Sequence, residues 1–374
     1  MSTQSRNEFI SKCKHYLVPP GEGVFTVHTA KDKRDNLQKK LFGAEALAQN
    51  KIRDIWEQSL TSTLPLSKCV IFGIASDCGG GIQRGANWGP LFLRETLISS
   101  KDELNAYDVG DVRVIPHLLH DKYLNDETIA KCRIGLYQSD KINLPVSPLS
   151  IAYDFAQGFH EQFPSKSIFM IGGDHSVSYP MVRAYLEAKK AQGKKVALVH
   201  FDAHTDLSND RLGIDICFGT WTSQIVPFLE TPQHLVQIGI RSTAKDRNHW
   251  EQKFGHTQIW AQEIFDRGAS AVADEIVAKL KSLDVEEIYI SFDIDVLDKE
   301  YAGATGTPES GGLSPHEPML IMQTLFENFK ITGADMVEIA PLVKGADIKQ
   351  MEPETTLMVA ASLSTFLIQA MGSQ

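Results

Sequence analysis

Two histidines and four aspartates in this sequence are spaced as a metal site requires. Asp202-Ala203-His204-Thr205-Asp206 directly follows the apolar run Val196–Phe201. Alternation at a strand end puts Asp202, His204 and Asp206 on one side. A lone aspartate there would more simply cap the next element. Two carboxylates and an imidazole together suit a divalent ion that takes mixed oxygen and nitrogen ligands. Ser291-Phe292-Asp293-Ile294-Asp295 follows a second apolar run, Glu286–Ile290. Asp293 and Asp295 share a parity, and neighbouring carboxylates repel unless they share a cation or a proton. Carboxylates alone would suit magnesium or calcium; the imidazole shifts the choice toward manganese, iron, nickel or zinc. The third cluster is Ile171-Gly172-Gly173-Asp174-His175-Ser176, whose paired glycines allow a sharp turn that presents His175 at the same edge. Neither GxGxxG nor a following Gly-Lys-Ser/Thr accompanies them, so a phosphate loop is not indicated. Together the clusters form a candidate two-metal site. Two ions sharing carboxylates lower the pKa of a water between them and supply a nucleophile at neutral pH, which is hydrolase chemistry. No Ser/His/Asp or Cys/His arrangement competes. Cys217 has no flanking charge to activate it, and the ten other histidines read as surface or packing residues.

For these clusters to meet, their strands must lie in one sheet with the carboxyl ends together. From Lys68 on, apolar runs occur at Cys69–Ile74, Ile168–Ile171, Val196–Phe201, Leu235–Ile240, Ile288–Phe292 and Met336–Ile339. Several are apolar at both parities, as in strands covered on both faces. Helical stretches at Ser150–Gln162, Val177–Ala191, Ala269–Leu283, Pro315–Asn328 and Glu354–Ala370 separate them. The alternation predicts an α/β domain with a mainly parallel sheet. Ser314-Pro315-His316-Glu317 reads as a helix start with Ser314 as N-cap. Residues 1–65 read as an N-terminal extension packed on a domain spanning 66–374. In it, Pro19-Pro20-Gly21-Glu22-Gly23 is a turn or extended segment. Leu37, Leu41, Ala44, Leu47, Ile52, Ile55 and Trp56 predict one amphipathic helix over Asn36–Leu60.

The 374 residues are 43% hydrophobic and 22% charged, which excludes disorder over most of the length. Lys+Arg total 37 against 47 Asp+Glu; the net charge of −10 disfavours a nucleic-acid binder or a protein of anionic membranes. Cys13, Cys69, Cys78, Cys132 and Cys217 are odd in number and lack CxxC spacing, so free thiols are expected. There is no signal-peptide run and no uncharged apolar stretch near 18 residues. A cytoplasmic protein without a membrane-spanning helix is the expectation.

In this order the three clusters resemble those of the ureohydrolases: arginases, agmatinases and their relatives. The resemblance runs from about Cys69 to Gln369. It rests on Gly172–Ser176, Asp202–Asp206, Ser291–Asp298 and Gly303–Glu317. Gly81–Pro90 with Arg94, Val109-Gly110-Asp111 and Gln237–Arg241 also fit, and the details resemble the agmatinase-like branch. The resemblance implies a three-layer α/β/α fold and two divalent ions, manganese first, with nickel or cobalt as alternatives. His175, Asp202, Asp206 and Asp293 would hold one ion; Asp202, His204, Asp293 and Asp295 would hold the other. Glu338 matches the family's guanidinium-binding glutamate, a carboxylate able to accept two N–H bonds from a planar cation. Asp206 would also carry a proton to the leaving amine.

The implied reaction is hydrolysis of a guanidino C–N bond to urea and an amine. Agmatine is nearest by branch; guanidinobutyrate, other guanidino acids and free guanidine are alternatives. A formimidoylglutamase-type hydrolase and a metal-binding regulatory subunit without turnover are the readings outside that class. Family habit implies a homo-oligomer, trimer or hexamer. The sequence departs from the family at Phe218, where a His is usual, at Ala304, where a Gly is common, and over Leu342–Asp347, which lacks the usual Tyr-Asp pair. Phe218, with Trp221, is expected to wall one side of the pocket and to favour short guanidino compounds over arginine.

Overall fold

The computed structural model describes residues 3–24, 29–79, 83–100, 104–341 and 352–374. Gly81, Ile82 and the Leu342–Asp347 departure lie outside them. The strands are β1 (Leu17–Val18), β2 (Cys69–Ile74), β3 (Ala106–Val112), β4 (Ser167–Gly172), β5 (Val196–Phe201), β6 (Leu235–Ile240), β7 (Thr257–Trp260), β8 (Glu287–Asp293) and β9 (Lys330–Val337). They form one sheet in the order β1-β3-β2-β4-β9-β8-β5-β6-β7. Only β1, paired with β3, runs antiparallel to its neighbour. The chain builds one half of the sheet through β4, starts the other half at β5, and then returns to fill the gap with β8 and β9.

Both faces are covered, so alternate residues of each strand enter different cores. Cys69 and Ile71 pack with the helices Gly89–Leu97, Ala269–Ser282, His316–Asn328 and Glu354–Ser373. Val70, Phe72 and Ile74 pack with Thr3–Tyr16, Ile52–Ser62, Pro148–Gln162 and Ser178–Ala191. In Pro148–Gln162 the buried Ile151, Ala152, Phe155, Ala156 and Phe159 recur at helical spacing, and Phe155 stacks on Phe72 at 4.2 Å. This is the three-layer α/β/α arrangement.

Several local expectations change. The single helix over Asn36–Leu60 is three short ones, Lys31–Phe42, Ala44–Ala48 and Ile52–Ser62. Gly43 (φ +92°) and Asn50 (φ +53°) break it with left-handed backbone that a helix cannot carry. β9 begins at Lys330, well before Met336, because Gly333 and the buried Asp335 interrupt its apolar pattern. The helix after Ser314 starts at His316; Ser314 Oγ bonds the Glu317 carboxylate (2.5 Å) and caps no backbone group. Among the described residues one helix, Glu354–Ser373, is long and apolar enough to cross a membrane by length and composition, which the sequence count missed. Its Leu357, Ala360, Leu363, Leu367 and Ile368 are buried in the core beside the sheet. All five cysteines are free.

Arg94, fully buried in the helix Gly89–Leu97, fastens the β2–β3 side. It pairs with Asp108 (2.8 Å) and Asp111, and donates to Gly110 O (3.2 Å). Asp111 in turn accepts the N–H groups of Gly21 (2.9 Å) and Gly23 (3.1 Å), which ties down the Pro-Gly segment of the extension.

Candidate active site

β4, β9, β8 and β5 are neighbours, and the residues at and just past their carboxyl ends meet. His175 opens a 3-10 turn after β4 that Asp174 caps by accepting the Ser176 N–H (3.0 Å). Gly172 and Gly173 do not serve as a left-handed turn, since neither has positive φ. A Cβ on Gly173 would lie 1.7 Å from Ser76 O, so close backbone approach is what excludes a side chain there.

His175 Nδ1 sits 3.0 Å from Asp293 Oδ2, 3.2 Å from Asp202 Oδ2 and 3.3 Å from Asp206 Oδ2. It makes no hydrogen bond of proper geometry to any of them. Nε2 lies 3.0 Å from Ser291 Oγ, whose hydroxyl donates to Asp335 Oδ1 (2.8 Å). That relay places one imidazole proton on Nε2 and turns Nδ1 toward the three carboxylate oxygens. Burial lowers the imidazole's pKa, but Asp202 and Asp293 outweigh it and hold it well above its usual value. His204 Nδ1 sits 3.0 Å from Asp295 Oδ2 and 3.3 Å from Asp202 Oδ1. Asp202 therefore offers one oxygen to each group. Thr307 Oγ1 (2.9 Å) and Ala203 N (3.1 Å) donate to Asp295 and fix it.

The charges are hard to reconcile without cations. Burial and the Asp202 charge push the Asp206 carboxyl up to about 8. Burial, with Asp295 and Asp202 beside it, holds Asp293 well above the usual carboxylate range. Burial acts the same way on Asp202, but the imidazoles of His175, His200 and His204 outweigh it and hold that carboxyl well below. Buried carboxylates crowded around imidazole nitrogens, which here only protons can compensate, fit two divalent ions.

Glu338, just past β9, takes a left-handed backbone (φ +62°), as does Asp206 (φ +49°). Such strain in non-glycine residues persists only where the surroundings impose it. The Glu338 N–H donates to Gly173 O (2.8 Å), and its Oε1 accepts the His175 N–H (2.8 Å). Its Oε2 is buried and makes no hydrogen bond among the described residues. Burial, then Asp293, pushes its carboxyl well up. His175, His204, Asp206, Asp293, Thr307 and Glu338 line a cavity of about 280 Å³, with Arg211 and Phe218.

The profile of the arginase family matches residues 67–368. The chain belongs to the arginase family. It is a ureohydrolase, an enzyme acting on guanidino C–N bonds, in a family that uses paired metal ions. This ureohydrolase is 30% identical to the guanidinobutyrase of Pseudomonas aeruginosa over 285 residues, 72% of the chain and 77% of the relative. It is 31% identical to the mitochondrial agmatinase of Gallus gallus over 287 residues, 72% and 73% of the two chains. A hypothetical agmatinase from Burkholderia thailandensis superposes with TM-score 0.60 at 26% identity, covering 81% and 85%. The proclavaminate amidino hydrolase of Streptomyces clavuligerus shares the fold, with TM-score 0.62 at 24% identity over 82% and 93%.

In this ureohydrolase Phe218 lines the cavity and Trp221 does not. Trp221 is fully buried; its Nε1 donates to Asp206 Oδ2 (3.0 Å) and its ring lies 4.7 Å from that of His175. It stands behind the aspartate and the histidine, which corrects its expected place in the pocket wall. His200 is no bystander either. It is fully buried, its Nε2 lies 2.9 Å from Asp202 Oδ2, and Gln237 Nε2 donates to its Nδ1 (3.0 Å). With both ring nitrogens engaged, His200 positions Asp202 and has none left for an ion. Its parity with Asp202 along β5 was the available signal.

Proposed function

We propose that this ureohydrolase holds two manganese ions and cleaves a short guanidino compound to urea and an amine. What supports the reading is one cavity lined by His175, Asp206 and Asp293, with Asp202 buried just behind them, and by Glu338, whose Oε2 has no hydrogen bond among the described residues. His175, Asp202, Asp206 and Asp293 would hold one ion, and Asp202, His204, Asp293 and Asp295 the other. The mixed oxygen–nitrogen set suits manganese, with nickel or cobalt as alternatives. When bound, such a pair lowers the pKa of a shared water so that it attacks at neutral pH.

The chain's own residues supply the rest. Glu338 accepts N–H bonds from the guanidinium and turns its planar carbon toward the aspartates. Asp206 takes the proton released by the attacking water and delivers it to the departing amine. Phe218 offers an apolar surface and no partner for the α-amino group of arginine. Residues 66–374 form the catalytic domain in this reading, 1–65 an extension, and the assembly is a homo-oligomer, trimer or hexamer.

The test is urea release from agmatine, guanidinobutyrate, arginine and guanidine by protein loaded with manganese, nickel or cobalt in turn. Urea from a short compound, most with manganese and little from arginine, is expected. No urea from any pairing overturns the reading.

A further inference from the structure

The loop between β5 and Thr220 places a cation at the cavity. Arg211 and Ile214 exchange backbone hydrogen bonds (2.8 and 3.0 Å) around Leu212 and Gly213, both at positive φ (+53° and +85°). This tight two-residue turn holds Arg211 at a fixed height. Its guanidinium lies over the Phe218 ring, 5.1 Å from the centroid. Gly219 lets it lie there, since a Cβ at that position would meet Arg211 Nε and Nη2 at 2.9 Å. Asp215 anchors the far side of the loop through Lys122 Nζ and Tyr123 OH, both at 2.6 Å.

Among the described residues the Arg211 side chain has no ion pair and no hydrogen bond. The contrast with Arg241 is informative: that guanidinium is spent on the carbonyls of Gly239, Asp295, Val296, Leu297, Glu309 and Ser310. Arg211 is exposed, and a guanidinium stacked on Phe218 with its N–H groups unpaired is suited to bind a carboxylate in a fork. It also opposes a second positive charge in the same cavity. Glu309, the acid beside the cavity-lining His204, turns its Oε1 to Ser242 Oγ (2.8 Å) and to His204 Nε2 (3.4 Å) and does not itself line the cavity.

We infer that Arg211 reads the far end of the substrate, and that the preferred substrates are short guanidino acids whose carboxylate meets Arg211 while the guanidinium meets Glu338. This rests on the ureohydrolase reading above and departs from agmatine as the nearest substrate.

The experiment compares kcat/KM of the manganese-loaded protein on four compounds with one reacting group: 4-guanidinobutyrate (anionic tail), butylguanidine (neutral), agmatine (cationic) and guanidine (no tail). The expected result is a preference of at least tenfold for guanidinobutyrate over agmatine. Arg211→Met keeps a stem on Phe218 and removes the charge. It should lower the guanidinobutyrate-to-butylguanidine ratio at least tenfold, chiefly through KM, with metal content unchanged. Gly219→Ala, which keeps the charge and displaces it, should move the ratio the same way by less. Agmatine or guanidine matching guanidinobutyrate in the native protein overturns the inference, as does an Arg211→Met variant that loses every substrate in equal proportion. Urea from none of the four marks failure of the ureohydrolase reading instead. The native series stands even if the variants fold poorly.

Discussion

Trp221 holds Asp206 through a 3.0 Å hydrogen bond from its indole, and the same ring packs flat enough on His175, at 32°, to fix that imidazole as well. One buried side chain thus sets two proposed ligands that come from different strands. Asp206 needs this, because its backbone is in the left-handed region and cannot rely on β geometry to aim its carboxylate.

Trp221→Phe keeps most of the ring and removes the donor. Metal affinity or kcat is expected to fall about 10- to 100-fold, as when outer partners of metal ligands are lost. Manganese titration and steady-state rates check this. Unchanged values would mean that Asp206 is aimed by the loop alone.

Asp293→Asn exchanges a shared carboxylate for a neutral amide. Metal content should fall below two ions per chain and activity should be abolished, while circular dichroism stays native. An active variant with full metal content would remove Asp293 from the proposed site.

Glu338→Gln replaces a charged acceptor with a neutral one. A tenfold or greater loss of kcat/KM is expected on every guanidino substrate, with metal content unchanged. Unaltered kcat/KM would leave the guanidinium without its proposed partner.

His160 is buried away from the site beside Phe159 and Tyr185, and burial, with the Lys189 charge, lowers its pKa to about 3. The folded protein keeps it neutral while the unfolded chain takes up a proton below about 6.5. Stability should therefore fall with falling pH through that window, by about 1.4 kcal/mol per unit from this group. His160→Gln should show a shallower decline in urea midpoint between pH 6.5 and 5. Parallel curves for the two proteins would refute the assignment.

The strands that carry the site were legible because they are covered on both faces, so their apolar runs are nearly unbroken. β3 was hidden as a strand because Asp108 and Asp111 interrupt it, and only the fold reveals that Arg94 neutralises them. The proposed ligands were legible because they cluster at or just past strand ends; turn backbone and bonds such as Trp221 to Asp206, rather than strand parity, aim most of them. Trp221 was misplaced for the opposite reason: an aromatic next to a pocket motif carries no sign of which side of the ligands it occupies. Arg211 went unremarked because a lone cation in an irregular loop has no periodic signature. Its significance depends on Phe218, Gly219 and Glu338 meeting it in space.

The pairing of β1 with β3 has a consequence for how the protein can be cut. Leu17 and Val18 pair with Val112 and Asp111, and Gly110 admits them because a Cβ there would lie 2.2 Å from Val18 O. Trp56 closes the same margin by donating to Val109 O (3.0 Å). A fragment trimmed to the arginase-family region would carry every proposed metal ligand. It would also leave β3 as an open border strand beside Asp111 Oδ2, which would lose the Gly21 and Gly23 N–H groups while Oδ1 keeps Arg94. Such borders recruit other chains. The trimmed enzyme should therefore clump or precipitate while its reaction centre, which begins at β4 on the other side of β2, is still intact.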